Sequence, residues 1–152
     1  MPSLKEKYAV EEASFFAEIY KNVKMGADSI INLLPHVKDD GLRSLMTRQL
    51  DGYEKYAARA AEQLEARGEN AKEEGLLTRV SARIGMAFQT MLDSTTSHIA
   101  EMMIEGSNMG ITDMTKLLNN HELRGSGKEA TRLAREVVAF EEHNLEILKR
   151  YL

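Results

Sequence analysis

The sequence lacks cysteine and tryptophan, has only two prolines, and holds no long run of apolar residues. Without cysteine, a disulfide, a thiolate metal site and a thiol nucleophile are excluded. Without an apolar stretch of roughly 20 residues, no segment is predicted to cross a bilayer as a helix. The first residues, Met1 to Lys7, are largely charged and lead into no apolar region, so no secretory signal is predicted and we expect a cytoplasmic protein.

The sequence also lacks any stretch in which charges of one sign are concentrated. The 20 Lys and Arg residues are interspersed with 24 Asp and Glu residues, giving a net charge of −4. A protein that follows a phosphate backbone needs a basic block, so nucleic acid is not expected as a partner. A length of 152 residues suits one domain covering 1–152.

The first predicted helix runs from about Leu4 to Leu34. Ser3 and Glu6 have the spacing of a capping box. Pro35 ends the helix, because the residue before a proline avoids the helical conformation. Alternatively, the first ten residues form a loose arm and the packed helix begins near Glu11. Apolar residues at three- and four-residue steps define the buried face: Phe16, Ile19, Val23, Ala27, Ile30 and Leu34.

The second predicted helix runs from about Lys38 to Arg67. The acidic pair Asp39 and Asp40 suits a helix N-terminus, and Gly68 suits the position just past a C-terminus. Only a few residues separate this helix from the first, so the two are expected to be antiparallel neighbours.

The third predicted helix runs from about Ala71 to Gly106. Gly85 and the run of weak helix formers at 93–97 lie in its middle, where a kink is expected. Its link to the second helix is predicted to be short.

The pattern then predicts a break at 106–110. Thr112 is expected to cap a short extra helix over 113–120, a second break follows at 125–127, and a fourth long helix runs from Lys128 to the C-terminus. No segment alternates with the period of a strand. The sequence therefore predicts an all-α, up-down-up-down four-helix bundle with a short extra helix between helices 3 and 4.

Four segments together resemble small, uncharacterised bacterial proteins of the ferritin-like kind: residues 18–30, 49–56, 97–107 and 140–152. The resemblance spans nearly the whole chain. It implies a ferritin-like four-helix bundle, and such bundles often hold a di-iron site.

A di-iron carboxylate site takes a Glu-x-x-His pair from each of two helices. The sequence contains no such pair: the residues three positions before its histidines are Leu33, Thr95, Leu118 and Phe140. The reversed order occurs twice, in His98-x-x-Glu101 and in His143-x-x-Glu146. The second pair lies on a polar stripe that is typical of a solvated surface.

The remaining metal-ligand candidates are Glu54, His98, Glu101 and Glu141, with Glu105 as an alternative beside His98. Each also has an ordinary structural interpretation. His98 is expected at the border of the apolar stripe, bonded to a neighbouring helix. A buried Glu141 must be protonated or must pair with another group, for example an Arg, a Lys or the Tyr53 hydroxyl.

Three functions remain open. The first is a non-catalytic bundle without a cofactor, which associates with itself as a homodimer or with another protein. Because Phe15 and Phe16 are adjacent, one of them is expected to face outward and to serve such a contact. The second is a divergent ferritin-like protein that binds iron or another divalent metal. The third is a small-ligand pocket opened by Gly26, Gly52 and Gly85, which equally suit close helix approach. The missing metal ligands favour the first.

Overall fold

The computed structural model describes residues 3–69, 93–120 and 127–152. These residues form long helices and no strand, which confirms the all-α prediction. The α-helices are α1 (Leu4–Leu33), α2 (Asp40–Ala66), α3 (Thr96–Asn120) and α4 (Lys128–Leu148), with short 3₁₀ turns at Leu34–His36 and Lys149–Tyr151. The part of the predicted third helix over 71–92, including Gly85, lies outside the described residues.

The ends of α1 follow from local chemistry. The Ser3 side chain accepts a hydrogen bond from the Glu6 backbone, and the Glu6 carboxylate accepts one from the Ser3 backbone. This capping box starts the helix at Leu4, so the first residues are helical and not a loose arm. Residues 3–7 are nevertheless exposed, and Glu12 is buried, close to the packed start expected near Glu11. Pro35 lies in the first turn of the 3₁₀ segment that follows Leu33, as its fixed backbone angle and missing N–H require.

The ends of α2 also match their sequence signals. The Asp39 carboxylate accepts a hydrogen bond from the Leu42 backbone at 2.8 Å and caps the helix start. Gly68 adopts a positive φ of 77° just past the end. There the Gly68 N–H donates to the Glu65 carbonyl and the Glu69 N–H to the Leu64 carbonyl, which is a Schellman motif.

Helix α3 differs from its prediction. Residues 93–95 are not helical, and Thr95 caps α3 by accepting a hydrogen bond from the His98 backbone at 3.3 Å. The expected kink is therefore a helix start. The predicted break at 106–110 is wrong, because α3 continues through it to Asn120. The expected extra helix over 113–120 is the C-terminal part of α3, and Thr112 is an interior residue rather than a cap.

The helix directions also differ from the up-down-up-down prediction. Pairs of contacting residues, Tyr53 with Glu141 and Arg59 with Glu136, show that α2 and α4 run antiparallel. The start of α3 shares a surface cleft with Lys38, which immediately precedes α2. Helices α2 and α3 therefore begin at the same end of the bundle and run parallel. The antiparallel arrangement expected for the second and third helices is therefore wrong, and the residues that connect them, 70–92, lie outside the described part of the chain.

The core is a continuous apolar cluster contributed by all four helices. Phe15 and Phe16 are both buried, with 0% and 1% of their surface exposed, so the expectation that one of them faces outward is wrong. The reason is that the buried face of α1 is wide enough for adjacent positions, and the Arg67 guanidinium covers the Phe16 ring at 4.7 Å. Among the described residues, no helix combines the length and apolar character needed to span a membrane.

Candidate functional site

The most unusual feature of the bundle is a carboxyl group at its centre. Glu141, on the core face of α4, is only 2% exposed, and Tyr53, on the facing side of α2, is 3% exposed. The Tyr53 hydroxyl donates a hydrogen bond to Oε2 of Glu141 at 3.1 Å. The structure thus confirms the sequence-based interpretation of Glu141 as a buried carboxyl paired with the Tyr53 hydroxyl.

Burial changes the acid–base behaviour of this pair. Removal from water raises the pKa of Glu141 to about 8; the hydrogen bond from Tyr53 opposes this rise, and the nearby negative charge of Asp113 adds to it. The pKa of Tyr53 is held well above its usual value, mainly by burial and secondly by the proximity of Glu141. At neutral pH both groups are therefore predominantly uncharged.

Glycines bring the surrounding helices into contact with these side chains. A Cβ atom on Gly110 of α3 would overlap the Glu141 carboxyl group, one on Gly26 of α1 would overlap the Tyr53 ring, and one on Gly52 of α2 would overlap the Phe140 ring. The rings of Tyr53 and Phe140 themselves meet edge to face at 5.0 Å. Gly26 and Gly52 therefore allow close packing, and the space beside them is filled by side chains rather than open to a ligand.

Further polar side chains surround the pair. Ser107 of α3 and Asn144 of α4 face the Tyr53 hydroxyl, and both are buried. Asn22 of α1 donates from Nδ2 to the Gly110 carbonyl at 3.0 Å. Gln49 of α2 is buried as well. All four helices thus contribute to one polar centre inside the apolar core.

The metal-ligand candidates do not come together as one cluster. On α3, Nδ1 of His98 lies 3.9 Å from Oε2 of Glu101, and these side chains are 37% and 59% exposed. Glu54 is exposed on α2, whereas Glu141 lies in the core. Across residues 3–69, 93–120 and 127–152, no group of three or more acidic or histidine side chains is placed to hold a metal ion. Among the described residues, the partner of the His98 side chain is Glu101 on its own helix.

The second reversed pair is a surface feature, as its sequence pattern indicated. His143 and Glu146 are both exposed on α4. Glu146 forms an ion pair with Lys149 at 2.9 Å. This pair has no contact with the polar centre.

Sequence reasoning missed the α3 and α1 contributions to the polar centre. Ser107 and Gly110 were assigned to a helix break, although the apolar stripe of Met103, Met114 and Leu117 continues through them at steps of three and four residues. That continuous spacing was the available signal. The contribution of Asn22 carries no comparable signal, since its partner is a backbone carbonyl on another helix.

No protein-family model matches the chain, and no curated protein matches it. Among solved structures, a mutant of Dps1 from Mycobacterium smegmatis has a similar fold, with a TM-score of 0.77 and 15% sequence identity. The match covers 97% of this chain and 98% of that chain. At this identity the likeness shows the fold alone, and that fold is an all-α, ferritin-like four-helix bundle.

Proposed function

We propose that this protein is a non-catalytic helical bundle that acts by associating with copies of itself or with another protein. The observation that carries the proposal is the filled bundle centre. Bundles place metals and ligands among inward-facing side chains of their helices. Here that position is occupied by the rings of Tyr53 and Phe140 and by the carboxyl group of Glu141, each packed against a glycine.

The chemistry of the centre supports the same proposal. A metal-binding carboxyl group must give up its proton, and it normally acts together with other acidic or histidine ligands. Glu141 instead has a raised pKa and accepts its hydrogen bond from a phenol hydroxyl. The chemistry of Tyr53 and Glu141 therefore suits a packed core rather than a cation-binding site.

An association surface must be sought on the exterior, because Phe15 and Phe16 are buried. Within the described helices, Ile31 of α1 and Met109 of α3 are large apolar residues with 48% and 55% of their surface exposed. Apolar residues of this kind contribute most when an interface covers them. Ile31 and Met109 are therefore the first positions to examine.

Light scattering coupled to size-exclusion chromatography, at micromolar protein concentration, tests the proposal. We expect a mass that is a multiple of 17.1 kDa, or a defined protein partner that copurifies from a lysate in a fixed ratio. A strict monomer that recovers no partner contradicts the proposal.

The second candidate is a ferritin-like protein that binds iron or another divalent metal. The observation that favours it is the proximity of His98 and Glu101, whose positions on one face of α3 would allow both to ligate one ion. Elemental analysis of untagged protein after reconstitution with iron, manganese or zinc separates the two candidates. A stoichiometric metal that is lost in His98→Ala supports the second, whereas less than about a tenth of an equivalent removes it.

A further inference from the structure

Near the Tyr53–Glu141 hydrogen bond, several buried polar atoms have no hydrogen-bond partner among the residues that the structure describes. They are Oε1 and Nε2 of Gln49, Nδ2 of Asn144 and Oε1 of Glu141. The three side chains are 2%, 4% and 2% exposed. Leaving such an atom unpaired is unfavourable, so a stable core needs a partner for them.

The helix geometry places these atoms close to one another. Gln49 lies one turn before Tyr53 on α2, and Asn144 lies one turn after Glu141 on α4. Because α2 and α4 are antiparallel, both steps lead toward the same end of the bundle. Gln49 and Asn144 therefore lie one helical turn from the Tyr53–Glu141 hydrogen bond in the same direction along the bundle, and Asn144 also faces the Tyr53 hydroxyl.

The unpaired atoms offer both kinds of hydrogen-bonding group. Two amide nitrogens are donors, and the Gln49 carbonyl oxygen is an acceptor. A single water molecule accepts two hydrogen bonds and donates two, and buried waters typically make about three bonds to groups of this type. A larger ligand is disfavoured because the packed contacts at Gly52 and Gly110 close the adjacent layers.

We propose that a buried water molecule binds between α2 and α4 and bridges the side chains of Gln49, Asn144 and Glu141. It accepts hydrogen bonds from Nδ2 of Asn144 and from Nε2 of Gln49, and it makes a further hydrogen bond with Oε1 of Glu141. The water thereby satisfies the polar centre without opening a path for a larger molecule. This inference is independent of the proposed association.

Magnetic relaxation dispersion of water nuclei counts the long-lived internal waters and so tests the proposal. The double variant Gln49→Leu/Asn144→Leu removes the amide groups while keeping side chains of similar size. We expect it to hold about one long-lived water fewer than the unaltered protein. The matched control Asn108→Leu changes an exposed amide on α3 and is expected to keep the full count. An unchanged count in the folded double variant overturns the proposal.

A crystal structure of the unaltered full-length chain provides a test that does not depend on the variants folding. An ordered water within about 2.7–3.2 Å of at least two of the three side chains supports the proposal. Direct hydrogen bonds among Gln49, Asn144 and Glu141, with no water between them, overturn it.

Discussion

At the residue scale, the uncharged carboxyl group of Glu141 couples the stability of the fold to pH. In the folded protein its pKa is about 8, whereas the ordinary value is 4.5. Below the ordinary value the group is protonated in both states and imposes no penalty. As the pH rises toward 8, the unfolded chain loses the proton and the folded chain keeps it, so the free energy of unfolding falls. Above that range the loss is complete.

We therefore expect Glu141→Gln to remove this pH dependence. Glutamine has nearly the same shape, accepts the hydrogen bond from Tyr53 and cannot ionise. Urea denaturation between pH 5 and 9 should show the unaltered protein losing free energy of unfolding on the order of a few kcal/mol relative to the variant. Glu142→Gln changes an exposed neighbour on α4 and serves as the control. Parallel pH curves for Glu141→Gln and the unaltered protein would show that the carboxyl group does not titrate in this way.

At the element scale, the two glycines of α3 differ in their surroundings. Gly110 lies against the Glu141 carboxyl group, whereas Gly106 has no atom within 4 Å of the position where a Cβ would lie. Both glycines weaken the intrinsic preference for helix. Only at Gly110 does tertiary packing compensate for that cost.

Alanine substitutions at these positions should therefore have opposite effects. Gly110→Ala is expected to lower the free energy of unfolding by about 1–3 kcal/mol, because Glu141 is enclosed and cannot move away from the new methyl group. Gly106→Ala should raise it by about 0.5–1 kcal/mol through improved helix propensity. Thermal or urea denaturation measures both changes. A Gly110→Ala variant as stable as Gly106→Ala would mean that the Glu141 side chain moves freely.

At the scale of the whole molecule, the hydrogen bonds of the polar centre join helices that are distant in the chain. Tyr53 and Glu141 connect α2 with α4, and Asn22 connects α1 with the Gly110 carbonyl on α3. The two sequential hairpins, α1–α2 and α3–α4, are thereby held in one relative position. Specific polar contacts of this kind select one arrangement among several that bury a similar apolar area.

The proposed association makes a prediction at this scale. Placing a charge in an interface opposes its burial, so Met109→Glu should weaken self-association at least about tenfold if α3 contributes to the contact. Thr115→Glu, an exposed position on another side of the same helix, is the control and should have a smaller effect. Analytical ultracentrifugation across a concentration series measures both. Equal dissociation constants for Met109→Glu, Thr115→Glu and the unaltered oligomer would exclude Met109 from the interface.

Local sequence signals predict the helical class and the ends of α1 and α2, because these depend on neighbouring residues. The capping box at Ser3, the stop at Pro35 and the positive-φ glycine at Gly68 each act within a turn or two of chain. The burial of Glu141 was predictable for the same reason, since the periodicity of α4 places it on the core face. Its pairing with Tyr53 was one of several open alternatives.

The helix directions, the continuity of α3 and the composition of the polar centre depend instead on tertiary contacts. Gly110 is a helix breaker by local preference, and its place within α3 depends on Glu141 of another helix. Phe15 and Phe16 are adjacent, and their joint burial depends on the side chains that cover them. These features depend on contacts between residues far apart in sequence, and local periodicity does not indicate which distant residues will be in contact.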